Sequence, residues 1–262
     1  MNKMRLFLFC ILAACLTIQA GAAELLWEMH PGKKKIQVDK AKGVKVRIQD
    51  RKCARIRKGC ICTGEEDRLQ WVQTGGNVSM DEPFAMVVSM KVAWDDVSCI
   101  WPVMFSMGEN PDFNIKAVCN TKEDVYAVDR ESYNYNGETQ VRGGKLGTSR
   151  CQTYILQADG MGGFTLYVDG KRVAFMEVDA AHVREDVRIS HFSLGGRPHK
   201  NDNRCPVEVK SVRFYKGKVD KMTLFMADYG LWIYVGGGVL GVLLACRFVR
   251  RRKKRFISQK KY

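Results

Sequence analysis

Two short stretches combine the residue types that can hold a sugar. Trp94-Asp95-Asp96 stands seven residues before Trp101, and Asp129 to Gly137 reads D-R-E-S-Y-N-Y-N-G. Sugar rings present C–H faces and hydroxyl edges, so an aromatic platform beside carboxylate or amide partners suits them. Trp94, Asp95, Asp96, Trp101, Tyr133, Asn134 and Tyr135 are therefore the candidate ligand-binding residues. The plainer alternative is that both tryptophans pack at the edge of a core and the tyrosines lie on an ordinary surface loop. Catalysis asks for more, because glycoside hydrolysis needs two carboxylates flanking the scissile bond. The nearest string, Glu177-Val178-Asp179-Ala180-Ala181, lacks the second glutamate of an E-x-D-x-E strand. No catalytic residue is expected, and an outlying glycosidase using other carboxylates is the enzymatic alternative. Cys60-Ile61-Cys62 is not a usual zinc spacing and no His cluster accompanies it, so no metal or cofactor is expected.

Such residues need a scaffold, and the pattern around them is one of short strands. Apolar or alternating runs occupy Phe84–Val92, Val103–Met107, Phe113–Cys119, Val125–Val128, Cys151–Ala158, Phe164–Val168, Arg172–Val178, Val187–Leu194 and Val207–Tyr215. Val207-Glu208-Val209-Lys210 alternates as a strand covering a core on one face should. Asp169-Gly170 supplies the two positive-φ residues of a type I′ hairpin, and Gly162-Gly163 and Gly195-Gly196 punctuate other runs. His191 sits within a strand pattern, where a hydrogen-bonded role is expected. Many short strands with glycine-bearing turns imply an all-β fold of two packed antiparallel sheets.

The series C-Q-T-Y-I-L-Q-A, G-F-T-L-Y-V-D-G-K-R-V, I-S-H-F-S-L-G-G and V-E-V-K-S-V-R-F-Y resembles the concanavalin A-like jelly roll of L-type lectins and laminin G-like modules. It is nearest to the C-terminal lectin-like domain of trypanosomal trans-sialidase-family surface proteins. The residues that carry this are Ile189 to Gly196 and Val207 to Gly217, set against the family strings "ISHF…GG" and "VTVxNVxLYNR". The match departs at Ser211 and at Lys216-Gly217. The resemblance spans roughly residues 70–219 and implies a jelly-roll sandwich, placed at 67–220, that binds glycans or glycoproteins. The propeller of a sialidase, with its S-x-D-x-G-x-T-W boxes, is absent from this sequence.

The ends of the chain suggest where the sandwich would be displayed. Lys3 and Arg5 precede an apolar run and Ala20-Gly21-Ala22, the layout of a cleaved signal peptide over 1–22. Tyr229 to Cys246 is uncharged and would extend about 27 Å as a helix, enough to cross a hydrocarbon core. The basic tail at 247–262 would then face the cytoplasm and anionic lipid headgroups. Type I topology at the plasma membrane is expected. The alternative is a cargo receptor of ER or Golgi membranes, for which Gln259 leaves a dilysine signal incomplete. Gly237 and Gly241 form a G-x-x-x-G pattern through which two spans could dimerise.

Nine of the fifteen net positive charges lie in the tail and two in the signal segment, leaving +4 for the remainder. The high overall charge therefore does not argue for nucleic acid. A basic, cysteine-containing segment at 23–66 carries +6 by itself, more than the whole remainder, with twelve Lys or Arg between Pro31 and Cys60. Secretion makes disulfides the default, with Cys53, Cys60, Cys62, Cys99, Cys119, Cys151 and Cys205 as candidates. Asn77-Val78-Ser79 is an N-glycosylation acceptor.

Overall fold

The computed structural model describes residues 23–49, 54–64, 67–110, 113–131, 139–141, 146, 150–177, 187–196 and 203–220. The expected span at 229–246 and the tail lie outside them. Among the described residues no helix is long and apolar enough to cross a membrane.

The strands in chain order are β1 (Glu24–Pro31), β2 (Ile36–Lys40), β3 (Lys45–Ile48), β4 (Ala54–Arg57), β5 (Cys60–Thr63), β6 (Leu69–Thr74), β7 (Phe84–Val92) and β8 (Val103–Asn110). They continue as β9 (Phe113–Asn120), β10 (Val125–Glu131), β11 (Thr139–Val141), β12 (Gln152–Ala158), β13 (Gly163–Val168), β14 (Lys171–Glu177), β15 (His191–Leu194) and β16 (Val207–Lys216). One sheet runs β11-β14-β13-β12-β7-β16-β1-β2, with β5 also pairing β16 and β4 outside β5. The other runs β10-β9-β8-β15-β6-β3. Neighbouring strands pair antiparallel throughout, as in Tyr154↔Val88 and Val212↔Val88. The fold is thus all-β, as expected.

Alternation places the core between the sheets. β16 reads buried-exposed-buried-exposed over Val207 to Lys210, and β6 buries Leu69 and Trp71 while Gln70 and Val72 are only half-buried. At the centre, Trp27 and Trp71 are fully buried and meet edge to face at 5.7 Å. Phe192 stacks on Trp71 at 5.6 Å and meets Phe214 at 4.9 Å. An indole N–H this deep needs an acceptor. That of Trp27 donates to Gln73 Oε1 at 2.7 Å, while Gln73 Nε2 donates to the carbonyls of Gly75 and Gly76. The hairpin expected at Asp169-Gly170 has φ of 49° and 77°, both left-handed, between paired Val168 and Lys171.

Two expectations need correction. Residues 24–63, read as a basic segment apart from the sandwich, supply five strands to it: β1 lies against β16, and β3 against β6. A charged face does not prevent pairing when alternate residues, such as Val46 and Ile48, still turn toward the core. The expected disulfides are also not formed: no bond joins two described cysteines, and Cys60, Cys62, Cys119, Cys151 and Cys205 are thiols. Cys53 lies outside the described residues. Register explains part of this. Cys62 pairs with Glu208, which pairs with Lys91 on β7, and Cys151 immediately precedes Gln152, the β12 partner of Met90. Two intervening strands hold Cys62 and Cys151 about 14 Å apart, far beyond the reach of a disulfide.

Candidate functional site

Strand β7 ends at Val92, and the chain turns through a short 3-10 segment, Trp94–Asp96. The Ala93 N–H still donates to Pro206 O at 3.0 Å, so the turn starts from a fixed strand end. Beside it, the Asn120 side chain accepts from the N–H groups of Lys122 and Glu123 and shapes the turn between β9 and β10. Asp124 closes that turn with a left-handed φ of 57°, a conformation Asp tolerates better than most residues. Between the two turns opens a cleft of about 490 Å³, lined by Lys91, Trp94, Asp95, Asp96, Thr121, Asp124 and neighbouring apolar groups.

Trp94 serves both roles set against each other in the sequence. Part of it packs on the core, its ring meeting Tyr126 at 6.3 Å, and Tyr126 meets Tyr154 at 6.0 Å. The residue is only half-buried, and the rest lines the cleft. Asp95 and Asp96 are exposed. An anchored indole with three carboxylates and an ammonium close by offers an apolar wall, acceptors and a donor in one recess.

Trp101 does not line this cleft. It is 42% exposed, next to Ile100 at 41%, on a loop tied to β9. There the Thr121 N–H donates to Ile100 O at 3.0 Å and the Cys119 N–H to Pro102 O at 3.2 Å. Thr121 thus touches both the cleft and the Trp101 loop. Tyr133, Asn134 and Tyr135 lie outside the described residues. Lys91, Thr121 and Asp124 were missed in the sequence, where no local pattern joins them to Trp94. They arrive through the packing of strand ends.

A polar row crosses the outer face of the second sheet: Gln70, Ser193, Ser106, Lys116 and Asp129 are successive cross-strand partners. Ser193 donates to Gly196 O at 2.8 Å and accepts from Ser106 at 2.8 Å. Lys116, almost wholly buried, meets Asp129 at 2.7 Å. The two serines thus bond each other across β8 and β15, and Lys116 and Asp129 pair across β9 and β10. His191, on the same face, bonds Ser190 Oγ through Nδ1 at 3.0 Å, a hydrogen-bonded role as expected. No group of His, Cys, Asp or Glu among the described residues is arranged to hold a metal.

The thiols divide by environment. Burial pushes Cys119 well above the ordinary thiol range, with Cys205 and Cys99 adding to the effect, and it raises Cys205 similarly. Cys60 and Cys62, on the outside of the first sheet, are also raised by partial burial and then by Glu208. None of these four has the electropositive setting of a nucleophilic cysteine.

Fold and cleft together define a two-sheet antiparallel β-sandwich of jelly-roll character. No protein-family model matches the chain, and no curated protein matches it. Its likeness to solved structures is one of fold. The binding domain of botulinum neurotoxin DC in complex with rat synaptotagmin II aligns with a TM-score of 0.53 at 11% identity, over 75% of this chain and 49% of that one. The same toxin's binding domain in complex with SialylT aligns at 0.54 and 9% identity, over 79% and 52%. The chain thus spans about half the length of these structures. Trypanosoma rangeli sialidase in complex with the inhibitor DANA reaches 0.49 at 13% identity, over 75% and 31%, too low to bear on kinship.

Proposed function

We propose that this chain is a non-catalytic binding protein whose sandwich takes a glycan or glycoprotein ligand in the Trp94 cleft. The observation that carries the reading is the cleft itself, where an anchored half-buried indole stands beside Asp95, Asp96, Asp124 and Lys91. That set matches a pyranose: a C–H face for the ring, acceptors for its hydroxyls and a donor for a ring or carboxylate oxygen. Solved proteins of this fold are described as binding domains, one in complex with a protein and one with SialylT, which is in keeping with such a use.

The sandwich is displayed by a type I arrangement at the plasma membrane, with signal 1–22, a span at 229–246 and a basic tail against anionic headgroups. Its jelly roll belongs with the concanavalin A-like group, and Gly237 and Gly241 pair two spans. The support for this is composition: eighteen uncharged residues followed by nine cations and no acid.

The test is a glycan and glycoprotein array probed with the sandwich unit, residues 23–220, which holds every described strand and the described core. Retention by one ligand class, lost in Trp94→Ala and in Asp95→Asn/Asp96→Asn, is expected. Silence across the array would overturn the reading, and turnover of a fluorogenic glycoside panel would overturn its non-catalytic half.

A further inference from the structure

We propose that the open edge of the sandwich formed by β2, β3 and β4 binds an extended acidic polysaccharide, one bearing repeated sulfate or carboxylate groups. The inference does not rest on the Trp94 cleft, which opens by the β9–β10 turn and the end of β7, with β16 and β5 between β7 and β4.

Three strands reach this edge by different routes. Among the described residues β2 pairs only with β1, β3 only with β6, and β4 only with β5, so each is outermost among the described strands. β1 meets β16 over Val212 to Lys216, and β5 meets it at Glu208 and Val209. β1 and β5 therefore follow one another along one side of β16, and β2 and β4, lying outside them, share one margin of that sheet. β3 brings the margin of the other sheet alongside β2 through the short connection from Ala41 to Val44.

This margin is densely and almost uniformly positive. Lys33-Lys34-Lys35 form the turn between β1 and β2, Lys40 ends β2 and Lys42 lies in the connection to β3; all are exposed. Lys45 and Arg47 stand two apart on β3 with exposed side chains, about 7 Å from each other along the strand. Arg55 and Arg57 repeat that spacing on β4, and Lys58 follows in the hairpin. None of these cations makes an ion pair among the described residues. Elsewhere Lys116, Arg150, Arg213 and Lys216 each hold a carboxylate within 3.0 Å. Two described acids reach the margin: Asp39, which faces His30 at 3.0 Å, and Asp67, which lines a recess with Arg55 and Arg57.

What is missing from the margin selects the partner. Residues 31–60 contain no aromatic side chain, so there is no platform on which unpaired bases could stack. The exposed large apolar residues Leu25, Ile100, Trp101 and Met161 all lie outside it, so nothing there would enter a bilayer. A row of unpaired ammonium and guanidinium groups along strand edges suits a linear polyanion, which gains by releasing its own counterions.

The test uses the sandwich unit, residues 23–220, so that the basic tail cannot contribute. Heparin is the sulfated probe, dextran the neutral one, and vesicles containing phosphatidylserine the lipid one. Binding to heparin at physiological ionic strength is expected, falling steeply with added salt. Replacing Lys33, Lys34 and Lys35 by Gln should weaken it at least tenfold, as should Lys45→Gln with Arg47→Gln. Each variant should melt as the parent does, because every changed side chain is exposed. Trp94→Ala should bind heparin normally, so failure of the cleft reading and of this one are told apart. Absence of heparin binding, equal binding by the lysine variants, or tighter retention on the vesicles than on heparin would overturn the proposal.

Discussion

Trp27 and Trp71 lie at one centre of the molecule and Trp94 and Trp101 at one end, and the same side chain does different work in each place. The central pair is fully buried and locked edge to face, with Phe192 stacked on Trp71 and Phe214 stacked on Trp27. The Trp27 N–H is bonded to a glutamine that itself bonds two glycine carbonyls. At the end, Trp94 is only half committed to packing, and Trp101 leaves 42% of its surface in solvent. An aromatic ring closed on all sides supplies stability, while one left partly open keeps a surface with which to meet something else. The difference comes from the elements: the first pair sits mid-strand in β1 and β6, the second on turns after a strand ends.

The largest effect should come from the centre. Trp27→Ala removes the ring that touches Trp71, Phe192 and Phe214, and it strands the buried Gln73 carbonyl. A loss of about 3–5 kcal/mol of stability is expected from the cavity and the lost hydrogen bond, read by denaturant unfolding. Trp94→Ala should cost roughly 1–2 kcal/mol, since only part of its area leaves water on folding. Its main consequence should be loss of array retention. If Trp94→Ala unfolded the protein as readily as Trp27→Ala, the contrast between centre and end would fail.

The thiols offer a milder version of the same contrast. Alkylation proceeds through the thiolate, and burial disfavours that charged form. Cys119 and Cys205 should therefore stay unlabelled until the chain unfolds. Cys60 and Cys62 should react in the native state, slowly near neutral pH because their thiolates are suppressed. Their rates should still climb with pH where an ordinary exposed thiol has levelled off. Mass spectrometry of the labelled peptides checks this, and a cystine linking two of these residues would break the arrangement.

Much of the sandwich could be read from residues. β7 runs from Phe84 to Val92, as its apolar run implies, and β16 follows the alternation that starts at Val207. Lys45-Val46-Arg47-Ile48 and Arg55-Ile56-Arg57 alternate just as clearly. They escaped notice because the charged half of each pattern resembles a solvated run, and four-residue strands give little periodicity to detect. Lys58-Gly59, both with left-handed φ, make the same hairpin geometry as Asp169-Gly170, but a lysine does not advertise that turn as an aspartate does. In the site, Trp94, Asp95 and Asp96 were legible by type. Lys91, Thr121 and Asp124 were not, because pairings between distant strands bring them there, and no spacing along one chain encodes that meeting.

The smallest effect bears most directly on what the end of the molecule is for. Trp101 sits beside Ile100 on a loop held by backbone bonds from Thr121 and Cys119, which its side chain does not make. Trp101→Ala should cost no more than about 1 kcal/mol, because the loop's anchors survive and a smaller share of its area than of Trp94's leaves water on folding. If its ring extends the contact begun in the cleft, the same substitution should weaken ligand retention while the melting temperature falls only slightly. If retention is unchanged as well, recognition ends at Trp94 and the exposed indole takes no part in it. A large loss of stability would show instead that this tryptophan belongs with Trp27 and Trp71, and the division between a closed centre and an open end would have to be redrawn.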